Sequence, residues 1–183
     1  DTSGKRLYWA HAQIVILSEG IARQGILDVI DWFYRDAEPR LTLRFLVARD
    51  ASAKDIISSS GITNKICSFE INDKIENASS IEKYPDVKLY QIVGMLKSGV
   101  PYAYLPCITI KNQEGSEVSE ICGTTIFKGD KLEGFLDQED TKYFLYIINK
   151  IKGGLLVNQN VPDNPNANIS LEIFKSKTTV KPV

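Results

Sequence analysis

The spacing of apolar residues changes character several times along the first third of the chain. Ile14 to Leu17 is an unbroken apolar run, the pattern of a strand covered on both faces. Ser18 follows as a helix N-cap, since its hydroxyl can accept from a free backbone N–H. Ile21 and Ala22 begin a short helix, and Gly25 is placed to end it. A second helix is predicted from Ile26 to about Arg35, with Ile26, Val29, Ile30 and Phe33 on one face and Trp32 and Tyr34 beside it. From Leu41 to Arg49 the pattern alternates, so that Leu41, Leu43, Phe45 and Val47 point one way. Strand, helices, strand is a crossover unit. The strands at Gln13 to Leu17 and Leu41 to Ala48 are therefore expected to lie parallel in one sheet.

Asp50 or Ser52 then caps another helix, which Gly61 stops. Ser68 to about Ala78 carries a sparse helical pattern, with Ile71 and Ile75 four apart. Pro85 and Asp86 open a firmer helix, striped by Leu89, Ile92, Val93 and Leu96 and ended by Gly99. After Pro101 the pattern changes. Cys107 to Lys111, Val118 to Lys128 and Lys131 to Leu136 read as three strands of an antiparallel meander, joined by turns at Asn112 to Ser116 and at Gly129-Asp130. A symmetric hairpin about Glu114 and Gly115 puts Cys107 directly opposite Cys122, on one face. Whether the two are bonded stays open, because directly opposed strand positions hold a bridge under strain. Asp137, with Asp140 three residues on, caps a last helix whose buried stripe is Thr141, Phe144, Leu145, Ile148 and Ile151, with Lys142 exposed. Gly153 and Gly154 end it. Leu155 to Val157 can pair with the alternating strand Ile169, Leu171, Ile173, across a loop holding Pro162 and Pro165. The sum is an α+β fold: a small mixed sheet with a β-α-β crossover, followed by an antiparallel meander packed on a long helix. A division near Gly99 gives two expected subdomains, a helix-rich α/β part over 1–100 and the meander with its helix and C-terminal strand over 101–183.

Composition narrows the function. The chain has 183 residues, 43% hydrophobic and 25% charged, with a net charge of −1. That balance offers no global field toward nucleic acid or an anionic membrane, so no nucleic-acid partner is expected. No apolar run has the length to span a bilayer. No signal peptide is present, and Asp1 opens directly in polar sequence; we expect a trimmed piece of a longer protein. Three cysteines, Cys67, Cys107 and Cys122, lack Cys-x-x-Cys spacing, and His11 stands alone, so neither a metal site nor a cofactor is expected. No phosphate-binding glycine loop and no nucleophile elbow occurs, and no catalytic residue is assigned. Asp137, Glu139 and Asp140 cluster at a helix start, where they complement its dipole. Glu70, Asp73 and Glu76 form an acidic helical face, usually a solvated one. What is left is aromatic and basic. Trp32, Tyr34, Arg35, Arg40, Arg44 and Arg49 form the candidate partner-contact set, because aromatic residues and Arg are enriched at interface hot spots.

Residues 7 to 54, from Leu7-Tyr8-Trp9-Ala10-His11 through Leu41-Thr42-Leu43-Arg44-Phe45-Leu46-Val47-Ala48-Arg49-Asp50, resemble the C subunits of bacterial spore germinant receptors, the Ger(x)C spore germination proteins. The block Gly123-Thr124-Thr125-Ile126-Phe127-Lys128-Gly129-Asp130, continuing through Asp137, and Lys152-Gly153-Gly154 agree. The resemblance spans almost the whole chain and is thinnest from Ser58 to Tyr84. It implies a non-enzymatic receptor subunit needed for nutrient-triggered germination, whose partners are the membrane-embedded A and B subunits. It also implies a lipoprotein on the outer face of the inner spore membrane, anchored by a lipid upstream of Asp1, with the tail from Thr178 leading into a next domain. The alternative is a solute-binding module that captures a small-molecule germinant directly; a degenerate enzyme is a more distant third. A concave pocket with convergent polar groups would favour the solute binder, and an exposed aromatic patch the interaction module.

Overall fold

The computed structural model describes residues 9–59, 70–76, 83–113, 115–151, 154–158, 169–173 and 176–179. Five strands form one mixed sheet in the order β1-β2-β3-β4-β5: β1 (Ile14–Leu17), β2 (Arg44–Ala48), β3 (Tyr102–Gln113), β4 (Ser116–Lys128) and β5 (Lys131–Leu136). β1 and β2 run parallel, with Ile14 opposite Arg44 and Leu17 opposite Val47, as the crossover requires. β2 is also parallel to β3, through Val47 opposite Cys107 and Ala48 opposite Ile108. The meander thus extends the same sheet, because the helical stretch between β2 and β3 is itself a crossover.

Position in the sheet reverses the expected burial of the first two strands. β1 is an edge strand, and of its four residues only Leu17 is buried. β2 is internal and buried from Phe45 to Ala48, on both faces. Phe45 and Val47 enter a first core with Leu17, Leu105 and Phe127; Leu46 and Ala48 enter a second with Ile108 and Ile121. Leu41, expected inward, lies before the strand and is exposed.

Among the described residues six helices cover the sheet. α1 (Glu19–Gln24) is capped by the Ser18 hydroxyl, which accepts from Ile21 N–H. α2 (Leu27–Arg35) buries Ile30 and Phe33, and Ile26 just ahead of it is fully buried. α3 (Ala53–Ser58) is capped by Ser52, not Asp50, whose φ of 54° places it outside a cap conformation; the helix ends at Ser59, and Gly61 lies outside the described residues. α4 covers residues 70–76 and buries Ile71 and Ile75. Glu70, read as part of a solvated face, is itself buried and bridges Lys74 at 2.7 Å. α5 (Leu89–Lys97) starts three residues later than Asp86, because the Gln91 side chain accepts from Lys88 N–H and fixes the N-terminus there. It buries Leu89, Ile92 and Val93, and its C-cap is Ser98.

α6 (Gln138–Ile147) is capped by Asp137, which accepts from Asp140 N–H. It is shorter than expected, because Asn149 takes a φ of 55° and turns the chain before Gly153 is reached. Thr141 and Leu145 are its buried positions; Phe144 and Lys142 are both half-buried. Thr141 Oγ1 donates to Thr124 Oγ1 at 3.1 Å, and Phe144 meets Tyr104 edge-on, so the helix packs on the meander. β6 (Gly154–Asn158) and β7 (Ile169–Ile173) pair antiparallel in a separate two-stranded sheet, as their patterns predict. The loop between them lies outside the described residues.

Two close approaches set the geometry of the long hairpin. From Gln113 opposite Ser116 to Ile108 opposite Ile121 the register is the symmetric one; it then slips, and Cys107 faces Gly123. Cys122 is therefore the extra residue of a β-bulge and not the ladder partner of Cys107. Gly123 has a φ of 140°, and a Cβ there would overlap the Leu136 carbonyl oxygen, so only glycine lets the end of β5 come this near. At the β4–β5 turn, Asp130 accepts from Ile26 N–H at 2.9 Å, and its side chain fills the space a Cβ on Gly25 would need. The α1–α2 joint is docked on that turn.

Candidate partner-facing surface and clefts

A relay of rings leads from the first core to the surface. Phe45 is fully buried, and Phe33 packs edge-on against it at 5.5 Å between centroids. Trp32 and Trp9 both meet Phe33 edge-on, at 4.7 and 6.0 Å, and each other at 6.1 Å. Trp9 is tied down through its backbone N–H, which donates to the Glu38 carboxylate at 3.2 Å. Trp32 is half exposed at the outer end of this relay. Two residues on, Tyr34 is also exposed and carries the Lys97 ammonium 4.9 Å above its ring. Asp31 joins the group, pairing with Arg35 one turn on and lying 3.9 Å from Lys97. The exposed side of α2 thus forms a ridge with Trp32 on one flank and Tyr34 on the other, Asp31 and Arg35 between them, and Phe33 bracing Trp32 from behind.

The six sequence-derived contact residues do not form one surface. Trp32, Tyr34 and Arg35 share α2 and the ridge. Arg40 lines a cleft of about 500 Å³ with His11, Gln13 and Lys88. Arg44 is turned inward, with 12% of its side chain exposed. Its guanidinium donates to Asp86 at 2.8 and 3.3 Å, to Asn72 at 2.7 Å and to Glu76 at 3.4 Å, joining β2 to α4 and to the segment before α5. Burial works against its charge, but Asp86 and then Glu76 outweigh that and raise its pKa. Arg49 lies past the far end of β2, with its guanidinium 5.0 Å above the Phe135 ring. Lys97, which belongs to the ridge, was not singled out from sequence; it lies on a different helix, and only the α2–α5 packing brings it over Tyr34.

A second cleft, of about 610 Å³, lies between α5, α6 and β3, lined among others by Asp86, Lys88, Gln91, Tyr104 and Lys150. Burial raises the Tyr104 phenol above its ordinary value. Two polar groups at its wall are already engaged: Asp86 holds Arg44, and Gln91 caps α5. Among the described residues no cluster of His, Cys, Asp and Glu could hold a metal ion, and no helix is long and apolar enough to cross a membrane.

Comparison with known proteins assigns the fold a family. Residues 1–110 match the spore germination protein N-terminal domain, and residues 122–183 match the spore germination B3/GerAC-like C-terminal family. Spore germination protein KC of Bacillus subtilis (strain 168) is 24% identical over 202 residues, covering 97% of this chain and 47% of that protein. Spore germination protein B3 of the same organism is 27% identical over 180 residues, covering 97% and 46%. The chain thus spans about half the length of these curated relatives. The crystal structure of the GerBC protein shares the fold, with a TM-score of 0.66 at 23% identity over 100% of this chain and 51% of that one. With the family match running from the aromatic relay through both parallel strands, the chain belongs to the spore germination proteins of the GerAC type.

Proposed function

We propose that the chain is part of a non-enzymatic subunit of a spore germinant receptor, working through contacts with membrane-embedded sister subunits. The whole subunit would sit on the outer face of the inner spore membrane through a lipid anchor upstream of this segment. Family membership supports the receptor setting, and the aromatic ridge on α2 supports contact as its mode of action. The ridge carries this reading. Trp32 and Tyr34 are large and exposed, and Trp32 is braced from behind by Phe33 and Trp9, so binding through it loses little side-chain freedom. Arg35 and Lys97 supply polar margins. Arg44 acts from inside, by holding β2 to α4.

The test is co-purification with the soluble part of an A subunit. Trp32→Ala together with Tyr34→Ala should weaken binding by about tenfold or more, roughly 1.4 kcal/mol. Unchanged binding would overturn the contact reading. The cleft of about 610 Å³ keeps the solute-binding reading alive as its competitor. A germinant at a hundred times its dissociation constant would stabilise the fold by about 2.7 kcal/mol. We expect no melting shift with amino acids, sugars or nucleosides. A saturable shift with one of them, lost on Tyr104→Ala, would favour the solute binder.

A further inference from the structure

Two of the three cysteines meet on the central hairpin. Cys107 is buried in β3, and Cys122 is partly exposed in β4. Both are free thiols, and their sulfurs lie 2.8 Å apart. The bulge explains the approach. Ile121 belongs to the second core and Phe127 to the first, so β4 changes the parity of its faces at residue 122. That change leaves Cys122 on the side of Cys107. It also takes Cys122 off the ladder, where Gly123 stands opposite Cys107. A bridge between directly opposed positions would be strained, and this pair avoids that arrangement.

The two sulfurs are not equivalent. The hydrogen bond between the two sulfurs, with burial behind it, raises the pKa of Cys107. That same hydrogen bond, against the burial that opposes it and with help from Arg49, lowers the pKa of Cys122. The more exposed sulfur is thus the better nucleophile, and the buried one is the thiol in reserve.

We propose that Cys107 and Cys122 form an oxidisable dithiol that consumes one equivalent of a peroxide and closes to an intrachain disulfide. The Cys122 thiolate attacks one peroxide oxygen; the O–O bond breaks, and the departing oxygen leaves as water after taking up a proton. Cys122 is then a sulfenic acid. The Cys107 sulfur attacks the Cys122 sulfur, the S–S bond forms, the S–O bond breaks, and hydroxide leaves with the Cys107 proton as a second water. Two thiols are oxidised and one hydrogen peroxide is reduced to two waters. The new bond ties β3 to β4 at the bulge, against which the end of β5 is packed through Gly123.

The experiment treats the intact chain with stoichiometric hydrogen peroxide, then counts thiols, weighs the protein and maps the bridged peptides. Titratable thiols should fall from three to one, with the loss of two hydrogens and full recovery in dithiothreitol. The mapped bridge should join Cys107 to Cys122. Cys107→Ala should instead accumulate a sulfenic acid at Cys122 that dimedone traps, and Cys122→Ala should leave Cys107 unreactive. Circular dichroism checks that both variants fold; the peptide map of the unaltered chain decides the question if either does not. Survival of all three thiols, a bridge to Cys67, or a sulfenic acid that persists in the unaltered chain would each overturn the proposal.

Discussion

The two faces of the sheet are built differently. On one face α1, α2 and α5 close a core that reaches from Leu17 through Phe45 and Leu105 to Phe127 and Leu132. On the other, α3 and α4 contribute only Ile56, Ile71 and Ile75 over Leu46, Ala48, Ile108 and Ile121 among the described residues. The first is rich in rings and ends in an exposed ridge. The second is aliphatic, is covered by two short helices, and draws in polar support: Lys74 reaches the Ser119 carbonyl at 2.9 Å, and Arg44 pins α4 to β2. The larger core gives the exposed Trp32 ring a backing that does not yield. The smaller one relies on polar ties to hold its helices.

Breaking each core should expose this difference. Phe45→Ala, at the root of the ring relay, should cost about 3 to 5 kcal/mol in urea melts and loosen Trp32, seen as a change in its fluorescence. Ile56→Ala removes one of the few apolar contacts α3 makes and should cost about 2 kcal/mol, with faster amide exchange confined to α3 and its neighbours. Uniform exchange across the molecule would mean that the two faces open as one. Arg44→Met leaves Asp86 and Asn72 without their donor and should cost about 1.5 to 3 kcal/mol. Tyr84 packs against the smaller core, where burial first, then Glu120 and the two cysteines, push its phenol up to about 12 from its ordinary 10.0. Folding favours the neutral phenol, so this contribution is intact below about pH 10 and is lost as pH climbs through about 12. Melts along that alkaline range should fall less steeply for Tyr84→Phe. Trp32→Ala, which removes two edge-on ring contacts at the half-exposed end of the relay, should cost about 1 kcal/mol, small beside its predicted effect on partner binding.

Local chemistry was readable from the residues where it was decided locally. Ser18 and Asp137 cap helices because a hydroxyl or carboxylate at that spacing reaches a free N–H wherever the helix goes. The parallel pairing of β1 with β2 followed from the crossover alone. The burial of these strands did not, because an apolar run cannot report whether a neighbour lies on both sides. The β2–β3 pairing was available from the same crossover rule, applied once more. The bulge had a signal too: Gly123 inside a long strand is the usual mark of one. Arg44 offered none. A cation alternating with Leu43 and Phe45 reads as solvent-facing until the fold brings Asp86, Asn72 and Glu76 around it. The same limit hid Lys97 from the ridge, since two helices must dock before the ammonium finds Tyr34.

The slip at Cys122 makes length itself a carrier of instruction. Removing that single residue would let β4 zip straight onto β3 with its hydrogen bonds conserved. Each remaining residue would keep its partner and its face, Thr125 opposite Leu105 and Phe127 opposite Ala103, and the strand would lose the Cys122 sulfur and the local twist of the bulge. A residue lost at the exposed tip, near Gly115, would merely shorten the hairpin. Substitutions along this strand are therefore changes of spelling, whereas losing one of its paired residues, with the bulge still in place, shifts the reading frame of the sheet.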